Sequence, residues 1–259
     1  AMHYDTIGYV VREDIAIVTL DRPQVMNALN TQMRAELTHA LKAAPEEARC
    51  AVLTGRGRAF CSGQDLGDAS SAAQLDLERI LREEYTPLLQ AIYDSPIPTI
   101  AAVNGPAAGA GANLALAADV VIASDAAMFL QAFTRIGLIP DAGATWWLPR
   151  QMGFAKAMGA ALFAEPISAT QADAWGLIWE AVPAEDFAAT WWRRARHLAA
   201  GPTVAFRHAK RALRESFDND LETQLLLEAE LQGACGGTRD FREGVLAFLE
   251  KRDARFEGR

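Results

Sequence analysis

The chain has 259 residues, of which 51% are hydrophobic, so it can form one large domain, or a domain with an appendage, around a substantial core. Its 25 Lys and Arg residues against 33 Asp and Glu residues give a net charge of −8, which disfavours a general role on nucleic acid or on an acidic membrane. The three cysteines and four histidines show neither a disulfide framework nor the spacing of metal ligands, so we expect no metal site.

The first residues and the distribution of apolar residues predict where the protein works. No apolar run approaches the roughly 18 residues that a membrane-spanning helix needs. The amino-terminal stretch AMHYDTIGYVVRED lacks the basic and apolar blocks of a signal peptide. We therefore expect a cytoplasmic protein.

Strands and helices alternate along the chain. Buried strands are indicated by apolar runs that end at turn residues, and helices by apolar residues at helical spacing, the first of them behind an Asn cap. Asn104-Gly105 leads into a helix instead of a hairpin turn. The order predicts an α/β fold with parallel crossovers. The predicted strands span 15–20, 48–55, 98–105 and 119–124, and the predicted helices span 30–44, 74–93 and 110–117.

The carboxyl-terminal part differs from the rest. Gly201-Pro202 is the predicted boundary between a core of residues 1–200 and a helical region of residues 201–259, because a helix over 189–200 precedes it and long charged helices follow. The stretch LETQLLLEAELQ (221–232) has a large apolar face. We expect this face to pack on the core or on another subunit.

The loop GRAFCSGQDL (57–66) follows a predicted strand and is a candidate ligand site. Its small residues would allow the amide of Ser62 or Gly63 to face a ligand, although an ordinary strand-to-helix turn explains them as well. Cys61 and Ser62 are weak candidates for a nucleophile, because no His lies in a partner motif and the G-x-S-x-G pattern is absent.

A second candidate is the run of small residues from Gly105 to Ala112. It would let backbone approach a ligand closely, and the start of the following helix offers N–H groups without partners, which suits an anion. A dinucleotide fingerprint is a competing interpretation, but Leu114 occupies the position of its third glycine. Close packing of the helix through small residues is the structural alternative.

Asp141 is the candidate proton-transfer group, because it is a lone acid in an apolar loop. It could instead cap a helix that begins near Ala142. A carboxylate in a dry apolar pocket has a raised pKa and can act as a base. Opposite an oxyanion site, such a base could enolise a carbonyl compound. The apolar neighbours expected to line the pocket are Ile136, Leu138, Ile139, Trp146 and Trp147.

Several ordered motifs resemble the crotonase (enoyl-CoA hydratase/isomerase) superfamily. They are AFCSGQDL, AAVNGPAAGAGANLALAADVVIAS, QAFTRIGLIPDAGATWWLPR and EPISATQADAWGLIWEAV, together with the entry DRPQVMNALN and the ending REGVLAFLEKRDARF. The resemblance spans nearly the whole chain. It implies a spiral of ββα units, a helical carboxyl-terminal region that builds trimers or dimers of trimers, and an acyl-CoA thioester substrate. No separate cofactor is implied, because coenzyme A is part of the substrate.

The resemblance also implies roles for individual residues. The backbone N–H groups of Ser62 and Ala110 would form an oxyanion hole, the latter aided by the positive end of its helix. Asn113 would orient the substrate. Coenzyme A would lie along two segments: Gln24, Val25 and Met26 after DRP, and Gln64, Asp65 and Leu66 in the AFCSGQDL loop.

Departures from the hydratase pattern narrow the predicted chemistry. Similar hydratases carry two glutamates where this chain has Asn113 and Phe133, so efficient water addition is not expected. Asp141 stands where many relatives have glycine, and IPDAGATWWLPR resembles the ring-epoxide isomerases of phenylacetate breakdown and related enoyl-CoA isomerases. The sequence thus predicts a one-acid acyl-CoA isomerase. The alternatives are a hydratase that uses Asp141 alone, a halobenzoyl-CoA dehalogenase, and a non-catalytic acyl-CoA binder or assembly subunit.

Overall fold

The computed structural model describes residues 3–67 and 73–259, in which nine strands form two sheets. The larger sheet has six strands in the order β1-β2-β3-β4-β6-β9, and the smaller has three in the order β5-β7-β8. The strands are β1 (Ile7–Arg12), β2 (Ile15–Leu20), β3 (Cys50–Gly55), β4 (Thr99–Val103), β5 (Ala107–Ala108), β6 (Val120–Ser124), β7 (Met128–Leu130), β8 (Ile167–Ser168) and β9 (Glu180–Val182).

Helices surround the larger sheet and form the carboxyl-terminal region. The helices in the described residues are α1 (Thr31–Glu47), α2 (Leu77–Ile80), α3 (Thr86–Tyr93), α4 (Ala110–Leu116), α5 (Ala144–Met152), α6 (Phe154–Phe163), α7 (Ala169–Ala174), α8 (Phe187–Ala199), α9 (Thr203–Glu215), α10 (Leu221–Gly236) and α11 (Arg239–Glu250). Short 3-10 turns span Pro23–Val25, Ala132–Ile136 and Ala184–Asp186, and a π-helical turn, Leu81–Tyr85, joins α2 to α3.

The predicted α/β fold is confirmed, with one addition to the strand directions. Strands β2, β3, β4, β6 and β9 run parallel to one another, as expected for crossovers through helices. The predicted parallel crossovers are confirmed for these strands, and two antiparallel pairs that were not predicted accompany them, β1 with β2 and β7 with β8. The β1–β2 turn uses Glu13 (φ 50°) and Asp14 (φ 63°) in the left-handed region instead of Asn-Gly.

Most predicted elements have the expected position. Strand β2 coincides with the predicted 15–20, and the side chain of Asn30 caps α1 by accepting a hydrogen bond from the Met33 N–H at 2.8 Å. The helix predicted over 74–93 is interrupted, because its middle five residues form the π-helical turn. Such turns are frequent at functional sites.

The core has two parts, one on each face of the larger sheet. Val18, Leu53 and Val103 belong to the main cluster, which also contains residues of α1, α3 and α4. Ile15 and Val52 point to the opposite face and pack with residues of α8. Burial of both faces explains why these strands are apolar throughout.

The carboxyl-terminal helices are anchored to the sheet by charge. Asp119, just before β6, accepts hydrogen bonds from Lys210 at 2.9 Å and Arg214 at 2.7 Å, both on α9. The Gly201-Pro202 boundary lies between α8 and α9 and stays a prediction. On α10, side chains of the predicted apolar face such as Leu221 and Leu226 are exposed, so this part of the face does not pack on the core. No helix in the described part of the chain combines the length and hydropathy needed to span a bilayer.

Candidate active site

The loops after β3 and β4 approach each other closely at the carboxyl ends of these strands. The Ala108 N–H donates to the Cys61 carbonyl at 3.0 Å. A Cβ at Gly63, whose φ is 102°, would lie 2.8 Å from the Ala108 carbonyl oxygen, and one at Gly111 would lie 2.7 Å from Cys61 Cβ. Glycine is therefore required at both positions. The contact at Gly111 supports close helix packing over a dinucleotide fingerprint.

A cavity of about 300 Å³ opens between these loops and the region around Asp141. Its wall is mostly apolar, which suits the acyl part of a ligand. The lining residues include Gln64, Leu66, Ile80, Tyr85, Ala110, Phe133, Leu138 and Asp141. The cavity therefore brings together both glycine-rich loops and the predicted acid.

Asp141 is the single acid among the described residues that line this cavity. Its carboxylate accepts no hydrogen bond and forms no ion pair within residues 3–67 and 73–259. Burial raises the pKa of Asp141 from 3.8 to about 6. Gly143 is the residue before α5, which begins at Ala144 without a side-chain cap, so the capping alternative for Asp141 is not realised. A partly dry, unpaired carboxylate of this kind can take up and return a proton near neutral pH.

The backbone of Asp141 is fixed by two buried amides. The Asn113 side chain donates from Nδ2 to the Asp141 carbonyl at 2.9 Å and to Gln131 Oε1 at 3.1 Å. Gln131 returns a hydrogen bond of 2.8 Å to Asn113 Oδ1. Asn113 is fully buried and does not line the cavity. These contacts give Asn113 a role in holding the Asp141 loop, where Ala142 adopts a φ of 53°, and its predicted role in orienting the substrate stays a prediction.

The apolar surroundings of Asp141 only partly match the expectation. Ile136 and Leu138 line the cavity as predicted, whereas Ile139 is exposed and does not. Trp146 and Trp147 were wrongly assigned to the wall, because both rings pack with Tyr93. These rings pack α5 against Tyr93 at the end of α3.

The hydrogen bonds of the 57–66 loop change the predicted oxyanion donor. The Ser62 N–H donates to the Met26 carbonyl at 2.9 Å and is therefore not available to a ligand, and the Gly63 N–H acts to lower the pKa of the Cys61 thiol. Within the described chain, the N–H groups of Gln64 and Ala110 have no acceptor, and both residues line the cavity. The geometry therefore favours Gln64 over the predicted Ser62, and retains Ala110.

The surroundings of Cys61 and Ser62 do not support either residue as a nucleophile. Cys61 is fully buried, which raises the pKa of its thiol to about 12. The Ser62 hydroxyl donates to the Val25 carbonyl at 3.2 Å. Neither group has a base beside it among these contacts.

The two segments predicted to bind coenzyme A lie side by side. Gln24 and Val25 are exposed on the 3-10 turn, and Met26 is tied to the second segment by the hydrogen bond from Ser62. Asp65 is occupied by Arg22, which donates to it at 2.9 Å. Leu66 is 45% exposed at the cavity. The contacts of all six residues with coenzyme A stay a prediction.

Two residues of the site were missed by the sequence analysis. Arg34 is buried on α1 and contacts both Gln64 and Tyr85, and Tyr85 lines the cavity from the π-helical turn. A signal for Arg34 was present, because its spacing to Leu37 and Leu41 places a charge on the apolar face of α1. No comparable signal marks Tyr85.

Comparison with known proteins defines the class to which this fold and site belong. The chain is a member of the enoyl-CoA hydratase/isomerase family, whose family model matches residues 11–259. The crotonase fold predicted from the sequence is confirmed, since solved structures of the family superpose with TM-scores of about 0.9. The chain is thus an enzyme of this family, and the family implies an acyl-CoA thioester substrate.

Individual relatives bear both hydratase and isomerase names. A Rhodobacter capsulatus protein named "Probable enoyl-CoA hydratase" is 65% identical over 258 residues, which cover 100% of each chain. The Escherichia coli 1,2-epoxyphenylacetyl-CoA isomerase is 45% identical over 254 residues, covering 96% of this chain and 97% of its own. The crystal structure of an enoyl-CoA hydratase from Polaromonas sp. JS666 is 33% identical, with a TM-score of 0.91 and coverage of 97% of this chain and 99% of its own.

Proposed function

We propose that this protein is an acyl-CoA isomerase that moves a proton with one carboxylate, Asp141. The observation that carries the proposal is the isolation of this carboxylate in an apolar cavity, where its pKa is raised to about 6. A base with a pKa near the working pH combines a useful ionised fraction with sufficient basicity. The candidate substrates are a 3-enoyl-CoA and the ring epoxide of phenylacetyl-CoA.

Two backbone amides would stabilise the negative charge that forms on the thioester oxygen. We assign this role to the N–H groups of Gln64 and Ala110, because both residues line the cavity and their N–H groups lack acceptors in the described chain. Donors fixed before the reaction stabilise a developing enolate without rearrangement. Gly109, with φ 55°, gives the backbone the bend that precedes Ala110.

The reaction would proceed by removal and return of one proton. Asp141 takes a proton from the carbon next to the thioester carbonyl, and the electron pair moves onto the carbonyl oxygen as an enolate. For a 3-enoyl-CoA, Asp141 then returns the proton to the far end of the double bond, which yields the conjugated 2-enoyl-CoA. For the ring epoxide, the carbon–carbon bond shared by the epoxide and the ring opens, the oxygen stays in a seven-membered oxepin, and the proton returns to a ring carbon. No atoms are gained or lost in either case.

A hydratase is the second candidate, and it is favoured by the name of the Rhodobacter relative. Water addition calls for one group to activate water and one to handle the proton next to the carbonyl. Asn113 and Phe133 occupy the positions predicted to hold these groups in similar hydratases, and neither is an acid. Phe133 also places an apolar ring in the cavity wall. These features support the isomerase.

The deciding experiment follows the ultraviolet absorbance of a 3-enoyl-CoA incubated with the protein, with Asp141→Asn in parallel. An isomerase produces a rise from the conjugated product, and the variant abolishes it. Absence of a rise in the wild type would contradict the proposal. Loss of absorbance from crotonyl-CoA, abolished by the same substitution, would then support the hydratase.

A further inference from the structure

The side chain of Gln64 is fixed in one orientation by two donors that meet at its oxygen. Arg34 Nη1, which can only donate, lies 3.0 Å from Gln64 Oε1. The same nitrogen donates to the Tyr85 hydroxyl at 3.4 Å, which leaves the single hydroxyl proton of Tyr85 for Gln64 Oε1. A reversed carboxamide would place its NH₂ group against Arg34 Nη1, which cannot accept a hydrogen bond. The structure therefore identifies which end of the Gln64 amide is oxygen.

The donors themselves are held firmly. Arg34 is buried, and Glu84 accepts from its guanidinium at 2.9 and 3.0 Å. Its Nη1 also donates to the Leu29 carbonyl at 2.6 Å. Buried networks in which each member is satisfied are rigid, so Gln64 Oε1 has little freedom to turn.

The other end of the amide is left for a ligand. Among the described residues, no acceptor bonds Gln64 Nε2, and this atom is not among the buried polar atoms that lack a partner. It is therefore accessible, and Gln64 lines the same cavity as Asp141. An N–H donor in a mostly apolar wall discriminates between ligands that differ by one oxygen, because the donor is left unpaired when the acceptor is missing.

We propose that Gln64 Nε2 donates a hydrogen bond to an oxygen carried on the acyl group, so that the site prefers acyl-CoA thioesters with a ring oxygen near the attachment carbon. The inference rests on the proposed function and deepens it. It assigns the side chain of Gln64 to substrate selection, in addition to the role of its backbone amide. An oxygen that accepts but does not donate, such as that of an epoxide or ether, fits this donor.

Two stable ligands of matched shape test the inference by binding alone. 2-Methoxyphenylacetyl-CoA and 2-ethylphenylacetyl-CoA differ by an oxygen in place of a methylene group. Calorimetry gives the ratio of their dissociation constants for the wild type and for Gln64→Leu, which keeps the backbone N–H. We expect the preference for the methoxy ligand to fall by about five- to tenfold in the variant, the effect of one hydrogen bond.

Two further variants complete the test, one that removes the donor in a second way and one that serves as a surface control. Gln64→Glu has nearly the same shape, keeps an oxygen for Arg34 and loses the donor, so its preference must fall at least as far, even if Gln64→Leu folds poorly. Gln90→Leu makes the same substitution on the exposed surface of α3 and must leave the preference unchanged. A ratio that changes less than twofold in both Gln64 variants, or equally in Gln90→Leu, would overturn the inference. Failure of the wild type to convert 3-enoyl-CoA would instead overturn the proposed function, and leaves this binding ratio untouched.

Discussion

Glu36 on α1 is buried and Asp141 in the cavity is partly buried, and the surroundings of these two carboxylates differ completely. Four groups donate to Glu36: the N–H groups of Asp5 (3.0 Å) and Thr6 (2.7 Å), the Thr6 hydroxyl (2.7 Å) and Gln32 Nε2 (2.7 Å). Burial acts to raise the pKa of Glu36, but these donors outweigh it and lower the pKa to about 2. At Asp141, burial acts alone and the pKa rises to about 6.

The difference separates a carboxylate that stabilises the fold from one that can react. Donors hold Glu36 in its charged form and tie α1 to the chain before β1. The Asp141 carboxylate accepts no hydrogen bond from the described residues, so its lone pairs are available for a substrate proton. Asp141, the proposed proton-transfer acid, therefore differs from Glu36 mainly because no hydrogen-bond donor among the described residues contacts its carboxylate.

The most direct test of the difference between Asp141 and Glu36 is to neutralise each acid in turn. We expect Asp141→Asn to lower kcat for 3-enoyl-CoA by about 10³ and to leave the free energy of unfolding at pH 7 equal or higher, because an amide is easier to bury than a charge. Glu36→Gln is expected to leave kcat within about twofold and to lower the free energy of unfolding by about 1–2 kcal/mol. Turnover assays and urea unfolding measure both. Equal loss of rate in the two variants would remove the distinction.

Removal of a proposed oxyanion donor is expected to give the next largest effect on kcat. Ala110→Pro removes the N–H group at the first position of α4, where proline is compatible with a helix, and should lower kcat by about 10²–10³. Ala110→Gly keeps the N–H and serves as the matched control. Circular dichroism verifies that both variants fold. Wild-type turnover in a folded Ala110→Pro protein would exclude this amide from the mechanism.

The raised pKa of Asp141 predicts a pH dependence. Because the base must be ionised, kcat/KM should be level above pH 6 and fall about tenfold per unit below it. The folded-state pKa lies above the usual 3.8, so the charged carboxylate destabilises the fold above pH 6, and this effect is lost as the pH falls from 6 towards 3.8. A pH–rate profile and unfolding at several pH values measure the two effects. A rate limb well away from pH 6 would assign the titration to another group.

The smallest expected effect on kcat comes from substitution of Asn113, which holds the Asp141 loop. Asn113→Ala removes the donor to the Asp141 carbonyl, so the carboxylate is held less exactly, and we expect kcat to fall about tenfold with KM nearly unchanged. Asn113→Asp keeps the shape but places an oxygen against that carbonyl, and should behave alike. A change in KM alone would indicate that Asn113 contacts the substrate after all.

The sequence allowed most of the fold to be predicted, because the central strands are buried on both faces and their apolar runs mark them. Strand β1 was missed because its second half is exposed. Its turn to β2 uses Glu13 and Asp14, a residue pair that is not a sequence signal for a hairpin. The π-helical turn was missed for a related reason. Hydrophobic spacing indicates a helix, but it does not show which backbone hydrogen bonds shift within it.

The site was predictable in part. Asp141 could be found because an isolated acid among apolar residues is a local pattern. The Ser62 amide was predicted as an oxyanion donor, and the sequence did not reveal that its N–H donates to the distant Met26 carbonyl, which is why we propose Gln64 in its place. The side of α5 on which Trp146 and Trp147 pack likewise depends on Tyr93, which lies far away in the sequence.

The π-helical turn between α2 and α3 also sets the phase of the helical segment on either side of it. The buried residues Ile80, Tyr85, Leu88 and Ile92 are separated by five, three and four positions, and in a regular α-helix a step of five would rotate Tyr85 roughly 140° away from Ile80. The wider turn absorbs this extra rotation. If the same number of residues formed a regular α-helix, Tyr85 and Ile80 could not both face the core, and Tyr85 would lose its present contact with Gln64. The length of this segment, counted in single residues, is therefore part of what shapes the acyl cavity.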